Sequence, residues 1–575
     1  MRFHIAVVLF FYICILSSIN FSYALTPEQI NNQEYIRQQE RERVQRQNQQ
    51  SENDVRLERI QTADKTSRFP PDESPCFLIH ELSLKGQQSE NFQWLLEFGA
   101  IDDTGVKDQP LGRCLGSEGI QLLMKRMQNA LVNKGFVTTR VLAGPQDLST
   151  GVLHLILMPG FVRHIYVDQQ SSSRAMIRNA VPVKSGDLLN LKDIEQSLEN
   201  FKRVPSVEAD IQITPSKAAD AQPGDSDIVV SWRQAMPFRF NLSADNSGSR
   251  ETGKYQGAAT FSYDHWWTLN DLFYATVNHD LGGGQSGDRG SHAYTLHYSL
   301  PLGYWMLGFT SGSNQFRQSV AGRNQTYLYS GESANQELRL SRLAYRDAVR
   351  KTTVSFSLWY RDSKNFIDDT EVEVQRRRMA GWEAGIAHRE HILNAALDLN
   401  VSYRQGTGAM GSLPAPEEAF GAGTSRPQIT TLSAQLATPF TVGTLPLKYA
   451  LVARAQYSAT PLLPQDRFSI GSRYTVRGFD EQNFLSAEHG WVLRNDLSLP
   501  LAQTAQSVYL GIDLGAVSGP STKMLVGRRL SGMVAGWRGG FNQFSYDLFV
   551  GQPLARPEGF KTASAMLGFS LNLFF

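Results

Sequence analysis

The side chains that could carry chemistry are sparse in this chain of 575 residues, and most fail on spacing. His388 and His391 are the closest pair of histidines beyond residue 236. On a strand, residues three apart point to opposite faces, which argues against a shared metal. His80-Glu81 lacks the second histidine of a zinc-protease helix. Gly282-Gly283-Gly284-Gln285-Ser286-Gly287 is rich in glycine, but no Gly-Lys-Ser/Thr follows. It reads as a loop and not as a phosphate cradle. No nucleophile–base arrangement stands out, so no catalytic, metal or cofactor site is expected and an enzyme is the weaker reading. A serine–histidine pair distant in sequence, as in a lipase-like barrel, stays open. What remains is Val476-Arg477-Gly478-Phe479, inside a loop-like stretch at 464–483. A guanidinium can grip a carboxylate with two parallel hydrogen bonds. Whether Arg477 does so depends on its surroundings.

Those surroundings have a period of two. From Pro237 onward apolar and polar residues alternate: Leu447, Tyr449, Leu451, Ala453, Ala455 and Tyr457 interleave with Lys448, Arg454, Gln456 and Ser458. Val354, Phe356, Leu358 and Tyr360, and Leu397, Leu399, Val401 and Tyr403, do the same. Strands with lipid on one side and a wet lumen on the other read this way. A soluble sandwich also alternates, with its charged face outward. The leader and the C-terminal pattern favour the barrel: Leu567, Phe569, Leu571, Leu573 and Phe575 share one face of a last strand. Roughly sixteen strands fit the remaining length, an even number as bacterial barrels have.

Composition sets the outer bounds. A hydrophobic content of 41% and a mean hydropathy of −0.31 exclude a bundle of membrane helices. Arg2 and His4 followed by an apolar stretch at 5–16, with Ser22-Tyr23-Ala24 behind it, read as a secretory signal cut after Ala24. The apolar run falls short of the roughly 20 residues that a spanning helix needs. Without it the chain is charge-neutral, which gives no reason to propose nucleic acid. Cys14 leaves with the signal, and Cys76 and Cys114 enter an oxidising compartment. Their spacing does not suit a zinc knuckle; one disulfide is expected, with two buried thiols as the alternative.

Between signal and barrel lie a polar stretch and a repeat. Thr26 as N-cap and Pro27 at the first helical position begin a helix with no wide apolar stripe, so it is solvated or in polar surroundings. About twenty such residues span roughly 30 Å, near the height of a barrel wall. Residues 48–71 read as a disordered linker. Residues 74–159 read strand (77–84), short helix (92–98), helix (117–134, capped by Ser117, stopped by Gly135) and two strands (138–142, 152–158). Residues 160–234 repeat the order with 162–167, 175–181, 191–201, 207–213 and 228–232.

Here a resemblance becomes specific. The strand–helix–helix–strand–strand order resembles the POTRA (polypeptide-transport-associated) module. The stretch from Gly186-Asp187-Leu188-Leu189-Asn190 through Arg203-Val204-Pro205 to Thr214-Pro215 looks like the second POTRA of two-partner (type Vb) secretion transporters. Pro75-Cys76-Phe77 with Gly112-Arg113-Cys114-Leu115 looks like the first POTRA of their haemolysin-transporter or CdiB-like branch. Asp245-Asn246-Ser247-Gly248 with Thr252-Gly253 resembles the family's first hairpin, and Val476-Arg477-Gly478-Phe479 its loop-six tip.

The resemblance implies a mainly β fold: signal peptide 1–24, plug helix and linker 25–73, first POTRA 74–159, second POTRA 160–235, and an outer-membrane barrel of about sixteen strands at 236–575. It implies that Arg477 pairs with Asp513 of Gly511-Ile512-Asp513-Leu514-Gly515 on the inner wall, and that Phe569, Leu571, Leu573 and Phe575 form the C-terminal barrel signal. It further implies export of a large unfolded exoprotein (haemolysin, adhesin or contact-dependent toxin) from a Gram-negative periplasm, without a cofactor. Chaperones and barrel-assembly machinery would serve biogenesis, with outer-membrane lipid around the barrel. A barrel-assembly insertase, with more POTRA modules and no polar plug helix, and a passive porin, with no POTRA modules, are the alternatives.

Overall fold

The computed structural model describes residues 27–49, 54–57, 68–102, 105–501 and 504–575. The leader with Cys14, the Thr26 cap and linker residues 50–53 and 58–67 lie outside them.

Helix α1 (Pro27–Gln49) is built almost wholly of Gln, Glu, Arg and Asn after its first-turn proline. Good helix formers without glycine sustain it, although no apolar stripe anchors it. It is seated in the barrel lumen.

The first module contains β1 (Phe77–Ile79), β2 (Glu81–Lys85), α2 (Trp94–Gly99), β3 (Arg113–Leu115), α3 (Ser117–Asn133), β4 (Arg140–Leu142) and β5 (Val152–Met158). The single strand expected at 77–84 is two strands. The Gly151 carbonyl accepts from both His80 N and Glu81 N, breaking the run. β1 then pairs with β3 beside the Cys76–Cys114 disulfide, whose Cα atoms are 5.2 Å apart, while β2 joins β5 and β4 in another sheet. Leu123, Met127 and Leu131 of α3 are fully buried, as their helical spacing requires. The cap on α3 differs from the expectation. The N-cap is Gly116, and the Glu73 carboxylate accepts from the N–H groups of Gly116 (2.6 Å), Glu118 (2.9 Å) and Gly119 (3.1 Å). An anion at the positive end of a helix serves where Ser117 does not.

The second module contains β6 (Val162–Val167), α4 (Leu191–Lys202), β7 (Val207–Pro215) and β8 (Ser226–Gln234), in the sheet order β6-β8-β7. Leu198, Phe201, Ile228 and Trp232 fill its core. The helix expected at 175–181 is a series of turns. Ala180 N and Val181 N both donate to Ile177 O, and the Asn179 amide reaches out to the carbonyls of Leu269 and Pro301 (3.0 Å) on the barrel. The bond from Val181 N closes one turn that is not continued, and docking on the barrel takes the place of a second.

Sixteen long antiparallel strands close into a barrel among the described residues: β9 (Phe238–Asp245), β10 (Gln256–Asp264), β11 (Leu272–Asp280), β12 (Arg289–Leu302), β13 (Trp305–Ala321), β14 (Thr326–Arg346), β15 (Arg350–Ile367), β17 (Arg377–Ile392), β18 (Ala395–Thr407), β19 (Gln428–Val442), β20 (Leu445–Ser458), β23 (His489–Pro500), β24 (Gln506–Ser518), β25 (Arg529–Phe541), β26 (Phe544–Ala555) and β27 (Met566–Phe574). The two-residue β16 (Thr370–Glu371) adds to β15 at one rim, and β27 closes on β9 from Ser570↔Asp245 to Phe574↔Asn241. Leu510 (60%) and Ile512 (53%) are exposed on the outer face while Asp513 between Ile512 and Leu514 is 1% exposed, so alternate residues face the lumen.

Short turns occupy one rim, and the second module sits on them. Arg203 donates to Asn270 O (2.8 Å) and Ser299 Oγ (2.6 Å), Asn200 Nδ2 to Gly303 O (2.8 Å), and Ser206 N to Asp264 Oδ2 (3.0 Å). Long connections occupy the other rim. The sixth of these, residues 459–488 between β20 and β23, carries β21 (Phe468–Ile470) and β22 (Leu485–Ala487).

Candidate functional site

The sixth long loop folds into the barrel. Val476 and Phe479 are buried with Ile470, Leu485, Val492, Val517 and Leu530, and Phe479 meets Phe560 edge-on at 5.7 Å. These apolar anchors bring Arg477 against the inner wall. Its Nε lies 2.6 Å from Asp513 Oδ2 and its Nη2 2.8 Å from Oδ1, a fork-to-fork pair, and its backbone N donates to Oδ2 at 2.9 Å. A second carboxylate shares the guanidinium: Arg477 Nη2 is 2.5 Å from Asp496 Oδ1. Arg538 extends the cluster to Asp496 at 3.5 Å, and Arg494 to Asp513 at 3.9 Å. Burial disfavours the Arg477 charge, and the two carboxylates of Asp513 and Asp496 compensate it.

Glycines make the approach possible. Gly478 has φ +101°, the left-handed region, and a Cβ there would stand 2.4 Å from Gln552 O. On the wall, a Cβ at Gly511 would meet Arg477 Nη2 at 2.7 Å, and one at Gly515 would meet Val476 Cγ2 at 2.7 Å. The Gly-x-Asp-x-Gly spacing therefore puts two clefts beside one carboxylate on a single face, as the period of a strand dictates. β25 has an irregularity between Ser531 and Gly532, where a Cβ at Gly532 would lie 1.9 Å from Arg477 O.

Arg477 and Asp513 meet directly, and Gly511 and Gly515 lie against the tip. Asp496 is a member of the cluster that the motifs do not name. A signal for it exists in the alternation: Arg494 and Asp496 stand two apart on β23, both on the lumen side of the strand. Phe569, Leu571 and Leu573 lie on the closing strand β27, and Phe575 exchanges backbone hydrogen bonds with Phe240 of β9 (3.2 and 2.8 Å). His388 binds Thr352 Oγ1 (2.8 Å) and His391 binds Asp54 Oδ2 (2.9 Å), so the two serve different neighbours. Among the described residues no group of three or more His, Cys, Asp or Glu is placed to hold a metal.

The lumen is filled by α1. Glu34 accepts from Thr252 Oγ1 (2.9 Å) in the first long loop, and the Arg37 guanidinium donates to Glu481 O in the sixth. Deeper in, Glu40 pairs with Arg454 (2.8 Å), Gln45 with Asn278 (2.6 Å) and Arg46 with Glu337 (3.2 Å). A helix polar all round is thus matched by a wall polar all round. The linker expected to be disordered at 48–71 is seated at 54–57. Val55 and Leu57 pack on the second module's core, and their N–H groups donate to Glu199 and Glu195 at 3.1 Å each.

Comparison with known proteins agrees with this architecture. The model for haemolysin secretion/activation protein ShlB/FhaC/HecB matches residues 224–539; a POTRA domain model matches 161–215 and the ShlB-type POTRA model 104–160. Outer membrane transporter CdiB-2 of Burkholderia pseudomallei (strain 1026b) is 36% identical over 522 residues, covering 87% of each chain. Hemolysin transporter protein ShlB of Serratia marcescens is 28% identical over 412 residues, covering 70% of this chain and 71% of that one. The solved structure of CdiB from Acinetobacter baumannii superposes with a TM-score of 0.82 at 30% identity, covering 96% of this chain and all (100%) of that one. The chain belongs to the ShlB/FhaC/HecB haemolysin secretion/activation family: it is an outer-membrane two-partner secretion transporter, a barrel with periplasmic POTRA modules that exports exoproteins.

Proposed function

We propose that the exported partner is a large contact-dependent toxin, passed unfolded through the lumen after α1 has left it. Similarity to transporters named CdiB supports this partner class over a haemolysin. Capture begins at the POTRA pair, where β7 is a nine-residue edge strand with only β8 beside it. Its open side suits addition of a strand from the partner's N-terminal secretion domain. The Arg477–Asp513–Asp496 cluster holds the sixth loop against the wall while the chain moves past. No catalytic step is assigned. Periplasmic chaperones and the barrel-assembly machinery act only in biogenesis, the latter reading Phe569, Leu571, Leu573 and Phe575.

The observation that carries this reading is the seat of α1, which touches both the wall and the sixth loop through exchangeable polar contacts. Deletion of residues 74–234 tests it: the barrel should still insert while export of a co-expressed toxin partner is lost. Export at the wild-type level by that deletion would overturn capture by the modules.

A further inference from the structure

At the periplasmic rim, a groove runs between α4 of the second POTRA and the turn joining β14 to β15. Two buried glutamates of α4 line one side. Glu195 Oε2 lies 3.0 Å from Arg346 Nε, and Glu199 Oε1 lies 2.8 Å from Arg346 Nη2, while Lys351 reaches Glu199 at 2.6 Å. The same two carboxylates accept the backbone N–H groups of Leu57 and Val55, two residues apart, and Arg346 Nη2 donates to Val55 O at 2.5 Å. Between them Arg56 turns the other way, to Ala348 O at 2.9 Å. The groove therefore reads a backbone in an extended strand period. It takes an apolar side chain at every second position, against the module's core. Asp54 and Arg56 add side-chain contacts at the groove's edge, to His391 (2.9 Å) and Ala348 O, but the contacts to Glu195, Glu199 and Arg346 use backbone atoms only.

Resting on the transport reading above, we propose that this groove is a binding site for an extended, alternately apolar segment of the exported chain. In this state it is occupied by the transporter's own residues 54–57. The arrangement couples arrival to opening. Five Cα steps join Gln49 to Asp54 and reach about 18 Å at most. Helix α1, with 23 residues, is about 34 Å long and must travel a comparable distance to clear the wall. While residues 54–57 stay seated, its end is held near the rim. A segment that displaces them frees the helix at the mouth where that segment must enter. Backbone recognition suits this task, because an unfolded cargo offers strands of many sequences.

Bilayer recordings on the purified full-length protein test the groove without any cargo. The double variant Val55→Asp, Leu57→Asp puts two carboxylates where Val55 and Leu57 pack on the second module's apolar core, leaves Glu195, Glu199 and Arg346 in place, and should raise the open fraction about ten-fold or more. A synthetic peptide carrying residues 52–60, added on the periplasmic side, should open the wild-type channel. The same peptide with aspartate in place of Val55 and Leu57 should not. The proposal is overturned if the double variant, shown to be folded by its heat-modifiable mobility, stays as closed as the wild type. It is equally overturned if the two peptides act alike. Export of a co-expressed partner is scored separately, so failure of the transport reading leaves the conductance result to decide the groove by itself.

Discussion

Removing Arg477 should free the sixth loop. The guanidinium meets Asp513 through two contacts of 2.6 and 2.8 Å and Asp496 at 2.5 Å, and Asp513 is 1% exposed. Breaking a buried ion pair by deleting one member costs about 3–5 kcal/mol, because the survivor is left charged and dry. At about 1.4 kcal/mol per decade, the undocked population should rise roughly 100-fold to a few thousand-fold. Arg494, 3.9 Å from Asp513, can recover part of the loss and favours the lower figure. Asp513→Ala should cost less, since Arg477 keeps Asp496. Arg477→Lys should behave nearly as alanine, because an ammonium cannot reproduce the fork. The assay is tryptic cleavage after Arg473, a residue of the same loop that is buried and bound to Glu481 at 3.3 Å when the loop is docked. Cleavage in the regime where opening is fast reports the undocked fraction. A cycle of Arg477→Ala, Asp513→Ala and the double variant isolates the pair. A coupling energy below about 0.5 kcal/mol in barrels that remain folded would refute the pairing as the anchor.

Three further outcomes are expected. Glu40→Ala, which strips Arg454 of its 2.8 Å partner, should weaken the seat of α1 by about 1.5–3 kcal/mol, the usual range for a charge-assisted contact; unchanged open probability in bilayer recordings at both low and high salt would count against it. Burial pushes the Asp108 carboxyl up, but the Arg126 hydrogen bond, the Phe69 N–H and the neighbouring arginines prevail and hold its pKa below the ordinary 3.8. A depressed carboxyl pKa stabilises fully above the unfolded value and loses that contribution as pH falls towards the folded one. Hydrogen exchange in α3 should therefore accelerate below about pH 4, and Asp108→Asn should flatten that dependence; an identical acid profile in the variant would contradict the assignment. Replacing Cys76 and Cys114 by serine opens a loop of 38 residues and should destabilise the first POTRA by about 4 kcal/mol on the chain-entropy estimate, with less than about 1 kcal/mol by chemical denaturation as the refuting result.

Residues whose surroundings repeat at a fixed period are legible in the sequence. Alternation assigns Asp513, between Ile512 and Leu514, to the lumen, and helical spacing assigns Leu123, Met127 and Leu131 to a core. Features that arise where distant segments meet are not legible in this way. Alternation on β23 puts Asp496 on the lumen side, but its meeting with Arg477 depends on β23 and β24 running side by side, which no local pattern announces. The Glu73 cap on α3 lies 43 residues from Gly116, and no local pattern announces it. Residues 54–57 look like any polar linker; what orders them are Glu195, Glu199 and Arg346, between 138 and 291 residues away. The stretch at 175–181 fails in the opposite sense, since its apolar spacing suits a helix while Asn179 and the barrel turns hold it open.

Helix α1 carries its own counter-charges. Glu34 pairs with Arg41 at 2.8 Å and Glu40 with Arg43 at 2.8 Å, and Tyr35 is the only apolar side chain buried among its described residues. Apolar burial is what gives association its large negative heat capacity. A plug seated chiefly by polar exchange has little of that term, so its departure should be nearly free of curvature with temperature. The hold of such a stopper changes only linearly between a cold and a warm host, and it yields to ionic strength or a competing strand.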